Sequence, residues 1–306
     1  MRAAVQPAPP PLAEQTTPER ILHRLEWRVI RRLDGLLQGD YRTLFYGVGM
    51  DFADLREYQP PDDVRRIDWN VTARMDAPHV REYIEDRELT AWMLLDRSPS
   101  MSFGLEERPK GLVLTEVVAT LARLLTRRGN RVGAILYNNA VERTIPPLGG
   151  RNQVLRLAHD LLRPPPTTGT ATDLNGLIHA GLNTIKRRSL VFLVSDFISE
   201  PGWERPLLVL GRRHDVVAIR LWDPREVELP DVGVIVMEDA ETGEQVFVDT
   251  SDPQLRRRLG ELARAREERL QEGFLRAGVD VFDISTEEDL VSALVRMAEQ
   301  RKRRRR

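Results

Sequence analysis

Three short stretches carry residues whose types and spacing suit chemistry. "LLDRSPSM" ends an apolar run at Asp96 and follows it with hydroxyls at alternate positions, Ser98 and Ser100. "SLVFLVSD" is nearly all apolar and ends at Asp196. Between them "PTTGTATD" carries Thr167, Thr168, Thr170 and Thr172 and closes on Asp173. Together these offer two carboxylates, two serine hydroxyls and at least one threonine hydroxyl, all hard oxygen. Such donors suit Mg2+, Mn2+ or Ca2+ and not zinc or copper. Two carboxylates and neutral hydroxyls leave a divalent ion with coordination positions to spare, so the ion wants a further ligand from water, substrate or a partner's Asp or Glu. The plain alternative is a polar strand-to-loop turn with local side-chain caps.

The elements that must position these groups follow from the apolar periodicity. Strands are expected at 89–96, 131–139, 189–196, 214–223 and 279–285, and helices at 111–128, 151–162, 173–188, near 201–212, 254–278 and 287–302. Residues 140–147 are expected to pair with the strand before them, and 232–250 to form a hairpin turning at Glu241-Thr242-Gly243. Near-continuous apolar strands alternating with helices imply an α/β fold with a doubly wound, mostly parallel sheet covered on both faces. Ligands of such sheets gather outside the carboxyl ends of the strands. If the strands ending at Asp96 and Asp196 are neighbours, all three stretches share one edge, with strand alternation sending Ser98 and Ser100 to the same side.

The organisation expected from the chain is a Pro-rich, disordered leader at 1–17, an N-terminal helix and loop or short-strand extension at 18–88, the α/β domain at 89–300 and a basic tail at 301–306. Thr17-Pro18-Glu19 reads as the start of a helix over roughly 18–38, and Trp92 as core. Between Asp54 and Arg81 opposite charges alternate. They form either an ion-pair network that fixes irregular loops or a recognition surface. In the second case Arg56, Arg65, Asp68 and Arg74 surround the aromatic anchors Tyr58 and Trp69.

Composition narrows the function classes. The 306 residues are 41% hydrophobic and 30% charged with a net charge of −1, so no global field points to nucleic acid or membrane. Cysteine is absent, which excludes disulfides and thiolate chemistry. No stretch approaches about 18 uninterrupted apolar residues, so no transmembrane helix is expected and the chain reads as cytoplasmic. There is no P-loop, dinucleotide fingerprint or G-x-S-x-G elbow, and His23, His79, His159, His179 and His214 show no H-E-x-x-H pairing. A metal-dependent phosphoester hydrolase built on Asp96 is the enzymatic alternative, although Ser98 stands where haloacid-dehalogenase phosphatases carry a second Asp.

Asp96-Arg97-Ser98-Pro99-Ser100 resembles the D-x-S-x-S of the metal-ion-dependent adhesion site in von Willebrand factor A domains. The resemblance implies direct ligation by Ser98, Ser100 and a threonine, with Asp96 and Asp196 acting through water or behind the hydroxyls. Thr172 is the best match to that threonine, Thr170 the competitor, and Asp173 an additional acid. A narrower resemblance covers nearly the whole chain. "FADLREYQPPDDVRRIDWNVTARM", "LLDRSPSMSFG" and "LPDVGVIVMEDAETGEQVFVDT" are similar to the bacterial family called domain of unknown function 58, with Pro61 departing from an expected glycine. It implies a non-catalytic, Mg2+-dependent (or Mn2+- or Ca2+-dependent) protein-interaction module. Its implied partner is a MoxR-type AAA+ ATPase, in chaperone-like assembly or remodelling, and the ion would meet an Asp or Glu of a protein partner.

Overall fold

A computed structural model describes residues 17–25, 29, 55–60, 64, 67, 69–75, 77–81, 89–105, 107–165, 173–238 and 245–304. Helix α1 (Pro18–Leu25) is capped by Thr17, whose Oγ1 accepts from Arg20 N at 3.3 Å. The remainder of the helix expected to residue 38 lies outside the described residues, apart from Val29. In the extension, β1 (Leu55–Glu57) pairs antiparallel with β2 (His79–Arg81), around the short helix α2 (Trp69–Thr72).

From residue 90 the strands and helices alternate: β3 (Thr90–Asp96), a small ribbon of β4 (Gly104–Leu105) and β5 (Arg108–Pro109), α3 (Lys110–Thr126), β6 (Arg131–Asn138), β7 (Ala140–Leu148), α4 (Gly150–Leu162), α5 (Leu174–Thr184), β8 (Leu190–Ser195), α6 (Glu204–Arg213), β9 (Asp215–Trp222), β10 (Val234–Glu238), β11 (Gln245–Asp249), α7 (Pro253–Ala277), β12 (Asp280–Ser285) and α8 (Leu290–Arg304). The main sheet runs β12-β9-β8-β3-β6-β7. Every pairing in it is parallel except β6 with β7. Asn139 makes the tight turn between those two with φ 57°, a left-handed conformation that asparagine tolerates. Pro146 and Pro147 fall on the edge strand, where a missing donor costs least.

The period of two divides β3 between two cores. Ala91, Met93 and Leu95 pack with α3, α4 and α8, while Trp92 and Leu94 pack with α5, α6 and α7. The sheet is therefore buried on both faces, which is why its strands read as unbroken apolar runs. β10 and β11 form the expected antiparallel hairpin; its turn lies outside the described residues.

Among the boundaries that differ from the sequence reading, three have a clear physical reason. α5 ends at Thr184, four residues early, because Ile185 turns extended and is buried among the residues of the second core. α8 starts three residues late. Thr286 is held to the sheet instead, its N donating to Trp222 O and its Oγ1 to Asp223 Oδ2, and Asp289 then receives Ser292 N. At its other end α8 runs on through Arg304, so the basic block is no separate tail up to that point. Arg301 is fully buried and donates to Asp215 Oδ2 at 2.6 Å. Among the described residues no helix is long and apolar enough to cross a membrane.

Candidate functional site

β3 and β8 are neighbours, with Leu95 opposite Val194, so Asp96 and Asp196 leave the sheet side by side. From β3 the chain passes through α3 to β6 on one side; from β8 it passes through α6 to β9 on the other. The winding thus reverses between these two strands, the place where open α/β sheets form a crevice.

Each carboxylate oxygen there already accepts a hydrogen bond. Asp96 Oδ1 takes Ser98 N at 2.9 Å, and Oδ2 takes Ser195 Oγ at 2.6 Å. Asp196 Oδ1 takes Ile198 N at 2.9 Å, and Oδ2 takes Lys110 Nζ at 2.6 Å. The same ammonium donates to Glu226 Oε1 at 2.5 Å. Lys110 opens α3, where the helix dipole disfavours a cation, and it has no exposed surface. Burial pulls its pKa down, but Asp196 and then Glu226 outweigh burial, and the ammonium stands above the ordinary lysine value. Asp96 responds the other way. Burial, with Asp196 adding to it, pushes its pKa up from 3.8 to about 6, against the bonds from Ser195 and Ser98.

The serine hydroxyls converge, with Ser98 Oγ 3.0 Å from Ser100 Oγ. Strand alternation does not bring this about, contrary to the sequence expectation. β3 stops at Asp96, and Pro99–Ser102 forms a single 3-10 turn closed by Met101 N on Ser98 O. Pro99 supplies the φ that such a turn needs at its first position. A second sharp turn follows β8. Phe197 is left-handed at φ 57° and donates its N–H to Ser195 Oγ. Its ring is held edge-on by Trp203 and Phe274, at centroid distances of 5.5 and 4.8 Å. The aromatic cluster holds a backbone conformation that a bulky residue otherwise avoids.

Thr170 and Thr172 lie outside the described residues. Asp173, which follows them, is exposed at the start of α5, and Leu174 N donates to Ser199 Oγ in the loop after Asp196. Tyr137 lies nearby. Its hydroxyl donates to Asn139 O, and its pKa is raised by burial first, then by Asp173 and Asp96. A Cβ at Gly176 would come within 2.0 Å of the Tyr137 hydroxyl, so any larger residue there requires that side chain to shift. Arg97, inside the D-x-S-x-S stretch, is buried and bonds to Glu142 on β7 and to Arg163 O beyond α4. It ties the serine loop to the segment leading into the threonines.

Of the residues read as a recognition surface, Trp69 is 67% exposed, Arg74 is exposed and Tyr58 half-buried. Tyr58 N is bonded to Pro78 O, and Arg74 N to Val71 O. Arg65 and Asp68 lie outside the described residues, as does the side chain of Arg56.

The oxygens present fit a small hard cation. Adjacent ligands on an octahedron with bonds of about 2.1 Å stand about 3.0 Å apart, the separation of the two serine hydroxyls. Among the described residues no group of three or more carboxylate, imidazole or thiolate side chains is placed to hold an ion. An ion here would depend on the hydroxyls and on Asp96 and Asp196.

Residues 54–269 match the family described as "Protein of unknown function DUF58". The chain belongs to this family. Uncharacterised proteins of Mycobacterium bovis and Mycobacterium tuberculosis are 38% identical to it over 287 residues, covering 92% of this chain and 89% of theirs. Among solved structures, the conserved hypothetical protein BatB from Bacteroides thetaiotaomicron is 12% identical. The comparison covers 70% of this chain and 99% of that one, with a TM-score of 0.45. The vWF domain of the type V pili tip protein Mfa5 from Porphyromonas gingivalis is 11% identical over 70% of this chain and 94% of its own, with a TM-score of 0.35. Both likenesses are distant, and the doubly wound assignment of this DUF58 chain rests on its own strand order.

Sequence reasoning missed Lys110, Ser195, Glu226 and Arg97. A lysine in the first turn of an otherwise apolar helix was a legible signal, because it needs a carboxylate nearby to be tolerated. Glu226, 116 residues from Lys110, carried no comparable mark.

Proposed function

We propose that this DUF58 protein is a non-catalytic, divalent-metal-dependent protein-interaction module of the von Willebrand A type. Mg2+ is the ion proposed, with Mn2+ or Ca2+ as the alternatives that the same oxygen donors would accept. The partner donates an Asp or Glu that completes the coordination, and a MoxR-type AAA+ ATPase is the partner implied by the family resemblance. The ATPase would supply the energy for assembly or remodelling of a client. One observation carries the reading: Asp96, Ser98, Ser100 and Asp196 converge at the switch point of the sheet as an all-oxygen set. Ser98, Ser100 and Thr172 would hold the ion, with Asp96 and Asp196 acting through water or on the hydroxyls. The bound ion would supply Lewis acidity toward the partner's carboxylate.

Capture of the co-expressed ATPase tests the proposal. Wild type is expected to retain it in Mg2+ and to release it in EDTA, and Asp96→Ala and Ser98→Ala to lose it in both. Equal recovery by all three proteins, with and without EDTA, sinks the mechanism.

A further inference from the structure

A lysine with no exposed surface needs its charge compensated within bonding distance. Lys110 finds this compensation in Asp196 Oδ2 at 2.6 Å and Glu226 Oε1 at 2.5 Å, with the Phe103 ring 5.7 Å from Nζ on another side. Glu226 does not wander into this position. It belongs to a capping box after β9, in which its Oε2 accepts from Asp223 N at 3.2 Å while Oε1 faces the ammonium. Asp196 is thereby fully engaged inside the protein, one oxygen on Ile198 N and the other on a fixed positive charge.

We infer that Lys110 is an internal counter-cation that competes with a divalent ion for Asp196. It keeps the site's own affinity low, so that firm binding requires the partner's carboxylate. The inference rests on the metal-dependent reading above and adds to it a regulator of that site. Coulomb repulsion between a fixed ammonium and an ion drawing on the same carboxylate is strong in a crevice shielded from water. Glu226 moderates that repulsion by taking part of the ammonium's charge away from Asp196. Lys110 and Glu226 thus act in opposite directions on one carboxylate, and their variants are expected to move metal affinity in opposite directions.

The test is titration of the full chain with Mn2+ alone at pH 8, reading free Mn2+ by electron paramagnetic resonance. Lys110→Met is expected to bind at least about tenfold more tightly than wild type, and Glu226→Gln about threefold more weakly. A gain is diagnostic, since a merely structural lysine would lower affinity when lost. Lys110→Met affinity equal to or below wild type overturns the inference. If that variant does not fold, Lys110→Met with Glu226→Gln decides. It must bind more tightly than Glu226→Gln alone, and equal or weaker binding overturns the inference. Ser98→Ala separates the two levels of argument. If it binds Mn2+ as wild type does, the metal reading itself falls; if it loses Mn2+ while Lys110→Met shows no gain, only the role of Lys110 falls.

Discussion

Replacing Asp96 with asparagine is expected to stabilise the metal-free chain at neutral pH while removing its response to divalent ions. Asp96 is 1% exposed, and burial, then Asp196, push its pKa from 3.8 to about 6. An acid with a raised folded pKa holds its proton more tightly folded than unfolded. Stability contributed by this group is therefore greatest below the unfolded value, falls as pH rises through the interval, and is fully lost above about pH 6. That interval, from 3.8 to about 6, corresponds to about 3 kcal/mol. Asparagine removes the cost of the buried charge but forfeits an acceptor for Ser195 Oγ, about 1 kcal/mol. The net gain is about 2 kcal/mol at pH 7.5, or roughly 3 °C in Tm for a chain of this size. Urea unfolding in EDTA between pH 4.5 and 7.5 measures it. The advantage of Asp96→Asn is expected to shrink as pH falls, and Mg2+ to stabilise wild type alone. A variant less stable than wild type at pH 7.5, or a difference independent of pH, refutes the reasoning.

Three further outcomes follow from other contacts. Gly176→Ala places a Cβ 2.0 Å from the Tyr137 hydroxyl and 2.8 Å from Asp173 Oδ2; the expected cost is about 1–3 kcal/mol. Tyr137→Phe in the same chain should recover part of it in a urea double-mutant cycle. Arg301→Met strips Asp215 of a buried partner 2.6 Å away and is expected to cost about 3–5 kcal/mol in the urea midpoint. Trp69→Ala, at a position 67% exposed, is expected to change stability by less than about 0.5 kcal/mol. It is also expected to weaken capture of the ATPase; unchanged capture leaves the charged segment around it as scaffold.

The strand pattern was legible because parallel strands buried on both faces leave no polar interruption to confuse the period. Asp96 and Asp196 stood out because each ends such a run; their adjacency was only a condition in the sequence, and the pairing of β3 with β8 meets it. What escaped depends on partners distant in sequence. Lys110 meets Asp196 across 86 residues, and Ser195 meets Asp96 across 99. Local patterning can mark a residue such as Lys110 as needing a partner, but it does not say which distant residue supplies one. Arg301 was read as part of a basic tail because neighbouring charges share a composition but not a position. One turn of α8 aims it at Asp215, while the exposed Arg303 lies against the groove beside β12. The serine pair was read from the right residues for the wrong reason, since Pro99 converts an apparent strand continuation into a turn that reaches the same convergence.

The hydrogen bonds of the site bear on what kind of device it is. Every oxygen of Asp96 and Asp196 has a donor within the protein, and Ser98 Oγ and Ser100 Oγ share one hydrogen bond. A buried polar site left unsatisfied would be costly and would hold its ion as a permanent structural element. This one is closed, so on the proposed reading an ion enters by displacing a hydroxyl–hydroxyl bond and contending with a fixed ammonium. Neither step is strongly favourable alone, and the balance tips only when a further anion joins. A phosphoester hydrolase built here would want its cation open to the substrate phosphate. The Lys110 ammonium has no exposed surface and is already claimed by two carboxylates. On the proposed reading the ion, and not this ammonium, would meet the partner's carboxylate.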